Sequence, residues 1–179
     1  HGLMRKDEAR ECENFLKKGL NISINVYDES NIFFAKLKGL KNPEQKRKVI
    51  GYQFIESFDR VSNKFSDIPF LAQGTLYPDV IESGVSESKT ANVIKSHHNV
   101  GGLPKKINFQ LIEPLRELFK DEVRNIGNEL GLSKLLTGRH PFPGPGLSVR
   151  IIGEVTPERV NILQESDKIY IDVLHEDDL

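Results

Sequence analysis

The amino-acid sequence predicts an α/β fold built on a mainly parallel sheet, followed by the start of a second domain. Three observations carry this. Segments of helical and strand period alternate along the chain. A short apolar run, Phe70-Leu71-Ala72, closes on Gln73-Gly74-Thr75, as at the end of a buried strand. Pro141, Pro143 and Pro145 alternate with Phe142, Gly144 and Gly146, a stiff extended connector and the best domain boundary. The expected division is 1–140 for the first domain and 141–179 for the connector and the beginning of the second domain.

Taken in order, Ala9, Cys12, Phe15 and Leu16 recur at helical spacing between Asp7 and Lys18, with Gly19 as a C-terminal stop. Cys12 on that face reads as a small buried hydrophobe. Leu20, Ile22, Ile24 and Val26 alternate with polar residues, the pattern of a half-buried strand. Ser30 is placed to cap a short helix carrying Phe33, Leu37 and Leu40. Asn42-Pro43 is a cap followed by proline at the first helical position. Behind it Ile50, Phe54, Phe58 and Val61 line one face of a long helix.

After Thr75 a helical turn is expected near Asp79 to Ser83. Residues 84–106 lose apolar periodicity and read as a long loop, a length that is usually functional or disordered. Phe109, Leu111 and Ile112 suggest a strand. A helix from Asp121 to Leu130 places Val123, Ile126 and Leu130 inward, with Gly131 ending it. Leu147 to Ile152 reads as a strand. Thr156-Pro157-Glu158 caps a last helix with Val160, Leu163, Asp167, Tyr170 and Val173 on one stripe.

The 179 residues carry 25 Lys+Arg against 26 Asp+Glu, a formal net charge of -1. That balance argues against a DNA-wrapping or membrane-surface protein, and no apolar run is long enough to cross a bilayer. One cysteine excludes an intramolecular disulfide and a multi-cysteine zinc site, which fits a reducing compartment. The chain opens on His1-Gly2-Leu3 without Met, which reads as a cut start.

Four constellations can carry chemistry. The turn Gln73-Gly74-Thr75 sits where ligands bind parallel sheets, outside a strand's carboxyl end. Asp79 and Glu82, three residues apart on a helical turn, can hold Mg²⁺ beside a phosphate; the same spacing also describes a capped, solvated helix start. The stretch Ile94 to Pro104, with Lys95, His97, His98 and Gly101-Gly102, can act as a basic lid over a polyphosphate, or can be a solvated loop. Lys46-Arg47-Lys48 is either a solvated helix face or a phosphate fork, with Arg47 the better bidentate donor. The fourth, Arg139 to Gly146, reads as connector before catalysis. No Walker A, Rossmann or nucleophile-elbow motif occurs.

Lys46-Arg47-Lys48-Val49-Ile50-Gly51, Leu71 to Ser83, Ile94 to Pro104 and Arg139 to Leu147 together closely resemble the GMP synthase family. They lie in the family's order and spacing across nearly the whole chain, and His1 to Lys6 is similar to the family stretch that comes after an aspartate. The resemblance implies an adenine-nucleotide α-hydrolase-like ATP pyrophosphatase domain, truncated, followed by the start of a small α+β dimerisation domain. It implies an enzyme that uses ATP and Mg²⁺ to adenylate the 2-oxo group of the xanthine base of XMP. Ammonia from a glutaminase domain then displaces AMP to give GMP.

Carried onto this chain, the resemblance implies Mg²⁺–ATP ligation by Asp79 and Glu82 and ATP contacts from Gly2, Leu3, Gln73, Gly74 and Thr75. It implies XMP binding by Arg47 and lid residues Lys95, His97 and His98. The family's Ser-Gly-Gly-Val-Asp-Ser pyrophosphate loop and the glutaminase domain are expected upstream of residue 1. Its last XMP-binding residues are expected beyond Leu179, so the chain alone is expected to be inactive. The resemblance further implies a cytoplasmic homodimer without nucleic-acid or membrane partners.

Overall fold

A computed structural model of the chain describes residues 1–19, 22–65, 67–85, 110–138 and 142–176, with the side chains of residues 19, 82–85 and 135 left aside. Helices α1 (Glu8–Gly19), α2 (Ser30–Leu37) and α3 (Pro43–Ser62) come first, and a 3-10 turn at Asn63–Phe65 leads to strand β1 (Phe70–Ala72). Helix α4 (Tyr77–Val85), strand β2 (Gln110–Ile112) and helices α5 (Lys120–Glu129) and α6 (Lys134–Thr137) come next. A 3-10 turn at Gly146–Arg150 and helix α7 (Pro157–Glu176) complete the order. This is mixed α/β, and its sheet is parallel. β1 pairs with β2 in the register Phe70 to Gln110, Leu71 to Leu111 and Ala72 to Ile112.

Side-chain caps set the starts of α3 and α7. Asn42 Oδ1 accepts from the backbone N–H of Glu44 (2.9 Å) and Gln45 (3.1 Å), and Pro43 opens α3 as its spacing predicts. At α7, Thr156 Oγ1 accepts from Arg159 N–H at 3.3 Å. Gly131 comes after α5 with φ +79°, a conformation glycine adopts without strain. At α2 the expectation fails. Ser30 is already helical, and its own N–H donates to Asp28 Oδ1 at 2.9 Å. That bond, with one from the Ser30 side chain, holds the Asp28 carboxyl below its ordinary range.

The chain divides into two compact units, His1–Gln53 with Pro145–Leu179, and Phe54–Gly144. In the first, Leu3, Phe33, Leu37, Ile50, Ile151, Val155 and Val160 form the core. Burying each such side chain contributes about 1.5–3 kcal/mol. Asp167, buried on α7, accepts from Arg5 Nε at 2.9 Å and Arg150 Nη1 at 2.6 Å, so the amino-terminal segment, the 3-10 turn and α7 share one ion network. The second unit holds the β1–β2 pair and helices α4 to α6.

Several expectations are corrected. Residues 22–29 form no strand; Ile22 and Val26 are exposed. Alternation supplies a face, but a strand also needs a ladder partner, and none is present among the described residues. Leu147 to Ile152 is not extended either. Gly146 has φ +65°, Leu147 N–H donates to the Leu3 carbonyl (2.8 Å), and Ser148 Oγ donates to the Pro145 carbonyl (2.8 Å), curling the segment into a 3-10 turn.

Cys12 is exposed. β1 is not a buried strand, since Phe70 is half-exposed. The buried face of α3 runs through Lys46, Ile50 and Gln53, while Phe54 is exposed. Ile126 of α5 and Leu130 just after it, and Tyr170 and Val173 of α7, face solvent instead of a core.

Candidate functional site

In the second unit, the carboxyl edge of the parallel pair is where the candidate turn forms. Gln73 N–H donates to the Ile112 carbonyl at 2.9 Å, extending the ladder one step past β1. The chain then turns through Gly74. Thr75, 3% exposed, donates its hydroxyl to Glu113 Oε1 at 2.6 Å, and Glu113 Oε2 accepts from Arg116 Nη1 at 2.6 Å. The hydroxyl of Thr75 and the guanidinium of Arg116 hold the Glu113 carboxyl below its ordinary range against the opposing effect of burial. Glu113 is ionised at neutral pH and anchors the turn from the next strand.

A Cβ built on Gly74 meets nothing within 4 Å, and its φ lies outside the left-handed region. Glycine here is required neither by packing nor by dihedral angle. What it leaves is bare backbone at an open strand end, the arrangement that lets a phosphate approach main-chain N–H groups.

Asp79 sits in the first turn of α4. Its Oδ2 accepts from Leu76 N–H at 3.0 Å while its own N–H donates to the Leu76 carbonyl at 3.1 Å, which closes the turn after Thr75. Tyr77 N–H donates to the Leu118 carbonyl at 3.0 Å, and the Tyr77 ring stands edge-on to Phe119 at 5.2 Å. The turn therefore carries a carboxylate at its far end. Mg²⁺ takes hard oxygen ligands and usually needs only one or two carboxylates besides substrate phosphates and water. Asp79 fits that requirement. Among the described residues, no group of three or more His, Cys, Asp or Glu could enclose a metal. The side chain of Glu82 lies outside the described residues, as do Lys95, His97 and His98.

In the first unit, Gly2 has φ +69°, and a Cβ there would lie 2.7 Å from Ser30 Cβ, so both dihedral and space require glycine. Leu3 is fully buried in the core; its N–H donates to His1 Nδ1 at 3.0 Å and its carbonyl accepts from Leu147. The basic run of α3 is split by helical geometry. Lys46 is completely buried, Arg47 is about one-third exposed with Nη1 3.4 Å from Glu44 Oε2, and Lys48 is exposed. Three successive residues point about 100° apart and cannot share one face.

Sequence reasoning missed Glu113. The available signal was its place directly after β2, the counterpart of Gln73 after β1 in a parallel register. It also missed Lys46 as a core residue.

No protein-family model matches the chain. Curated relatives match it closely. It is 57% identical over 178 residues to a protein named GMP synthase [glutamine-hydrolyzing] from Anaplasma marginale, covering 99% of this chain and 33% of that protein. The protein of the same name from Carboxydothermus hydrogenoformans is 56% identical over 174 residues, 97% of this chain and 34% of the relative. That from Limosilactobacillus reuteri is 56% identical over 169 residues, 94% and 32%. The chain spans about a third of the length of the curated relatives it matches.

Proposed function

We infer that this chain, which corresponds in sequence to a segment of the glutamine-hydrolysing GMP synthases, works as part of an enzyme that converts XMP to GMP. ATP adenylates the 2-oxo oxygen of the xanthine base and pyrophosphate leaves; ammonia from glutamine then attacks the same carbon and AMP leaves. Adenylation turns a poor oxide leaving group into a phosphate ester, and the protein's task is to hold the reactants and offset phosphate charge. The observation that carries this reading is the turn Gln73 to Asp79, anchored by Thr75 and Glu113 at a parallel strand's carboxyl edge and bare at Gly74.

On this reading the backbone of Gln73, Gly74 and Thr75 meets ATP phosphates, and Asp79 with Glu82 holds Mg²⁺, which supplies charge neutralisation on the phosphates when bound. Arg47 receives XMP, Gly2 and Leu3 lie at the adenine side, and Lys95, His97 and His98 close over the reactants. The same reading takes residues 1–140 as an ATP pyrophosphatase domain and 141–179 as the start of a dimerisation domain, in a cytoplasmic homodimer. A second reading is nucleotide binding without turnover, which the bare backbone at Gly74 would serve equally.

The test uses the natural protein that contains these residues. Given XMP, ATP and ammonium without glutamine, it should form GMP, AMP and pyrophosphate in equal amounts; no GMP would refute the reading. Gly74→Ala should leave thermal stability unchanged, because its Cβ meets open space, while raising the ATP concentration needed for half-saturation. An unchanged ATP requirement would remove the turn from the site.

A further inference from the structure

Lys46 is 0% exposed, yet no carboxylate is among its hydrogen-bond partners. Its Nζ donates to the Ile151 carbonyl at 2.6 Å and the Ser148 carbonyl at 3.2 Å. Those carbonyls lie at the end of the 3-10 turn Gly146–Arg150, where helical backbone leaves acceptors unpaired and a cation is favoured. From α7, Arg159 Nη1 donates to the Glu154 carbonyl at 2.9 Å, so two cations hold the segment Ser148 to Glu154 by its backbone. Burial, with the charge of Arg159 adding to it, pushes the Lys46 ammonium below its ordinary range. A buried cation that binds only carbonyls is an expensive way to fill a core, and an aliphatic residue would pack there without desolvation.

The segment that the ammonium holds suggests why it is there. Leu3, Leu147 and Ser148 are each fully buried, and Leu147 N–H donates to the Leu3 carbonyl at 2.8 Å. Gly146 approaches that carbonyl so closely that any Cβ would collide with it. The Gly2-Leu3 segment is therefore pinned to the 3-10 turn, and the 3-10 turn is pinned through Lys46 to α3. The next residue on α3 is Arg47. We propose that Lys46 is a positioning residue: by tying the Ser148 and Ile151 carbonyls to α3, it sets Arg47 and the Gly2-Leu3 segment in one arrangement. Resting on the reading above, this means that one buried ammonium aligns the residues assigned to XMP with those assigned to adenine.

The first arm of the test needs no activity. Under reductive methylation of the natural protein containing these residues, peptide mapping should find Lys48 modified and Lys46 protected. Modification of Lys46 at the rate of Lys48 overturns the pin whatever the enzyme does. In the second arm, Lys46→Met keeps the stem volume and removes the ammonium. Amide exchange at Leu147 should quicken, and half-saturation should rise about tenfold for XMP, the effect of losing about 1.4 kcal/mol of binding, with a rise for ATP as well. Arg47→Ala should raise the XMP requirement alone.

A merely structural Lys46 would lower the unfolding midpoint and leave both half-saturations unchanged, which overturns the proposal. Should Lys46→Met fail to fold, Lys46→Arg keeps charge and donors while displacing α3 from the carbonyls. Faster exchange at Leu147 without a shift in XMP dependence then overturns it. If the wild type makes no GMP, the functional reading fails, and methylation with exchange still decides whether the pin exists.

Discussion

At the scale of single residues, the chemistry of the candidate turn rests on Thr75 and Glu113. The Thr75 hydroxyl is buried and committed to an ionised carboxylate, a charge-assisted bond that Thr75→Val would break without changing shape. Equilibrium unfolding should show a loss of about 1–2 kcal/mol near neutral pH. The sign of the pH dependence is set by the direction of the Glu113 shift. Its carboxyl is held below the ordinary value in the folded protein, so its contribution is fully present above the unfolded value. That contribution is lost as pH falls through the folded value. The stability difference between wild type and Glu113→Gln should therefore be flat around neutrality and shrink in acid. A difference that grows on acidification would contradict the assignment.

At the scale of elements, caps and turns decide where structure starts and stops. α3 presents Arg47 in its second turn, and its entry depends on Asn42 accepting two backbone N–H groups. Asn42→Ala should cost about 1 kcal/mol in denaturant unfolding, with Asn42→Ser recovering most of it. An Asn42→Ala variant as stable as wild type would show that packing alone holds the first turn. The 3-10 turn at Gly146 is stricter, because a positive φ and the Leu3 carbonyl both exclude a side chain. The two expected strands that do not form have a common cause. Residues 22–26 and 147–152 carry strand-like alternation or apolar content, but extended structure is stabilised by a neighbour's ladder that local sequence does not specify.

At the scale of the whole molecule, Gly2, Leu3 and Arg47 belong to one compact unit and Gln73 to Asp79 to the other. Under the proposed function the reactants must be closed off from water, the task that reading assigns to Lys95, His97 and His98. Replacing His97 or Lys95 by alanine in the natural protein should lower turnover more than substrate affinity, since closure acts on the reacting state. Steady-state kinetics with a loss confined to affinity would contradict the lid role. Among the described residues no helix is long and apolar enough to cross a membrane.

The sequence by itself determined the α/β class, the caps of α3 and α7, the positions of β1 and β2, and a resemblance that 55–57% identity to the relatives bears out. Those features are written in local patterns: a cap needs one side chain in the right register, and a motif needs residue types at fixed spacing. Only the tertiary structure decided that Lys46 is core while Arg47 is not, that Glu113 anchors the Gly74 turn, and that Leu147 to Ile152 curls. A basic run has no direction until a helix rotates each member by about 100°. A carboxylate at position 113 gains its partner at position 75 only when two parallel strands come into register, and that pairing belongs to the fold, not to either segment.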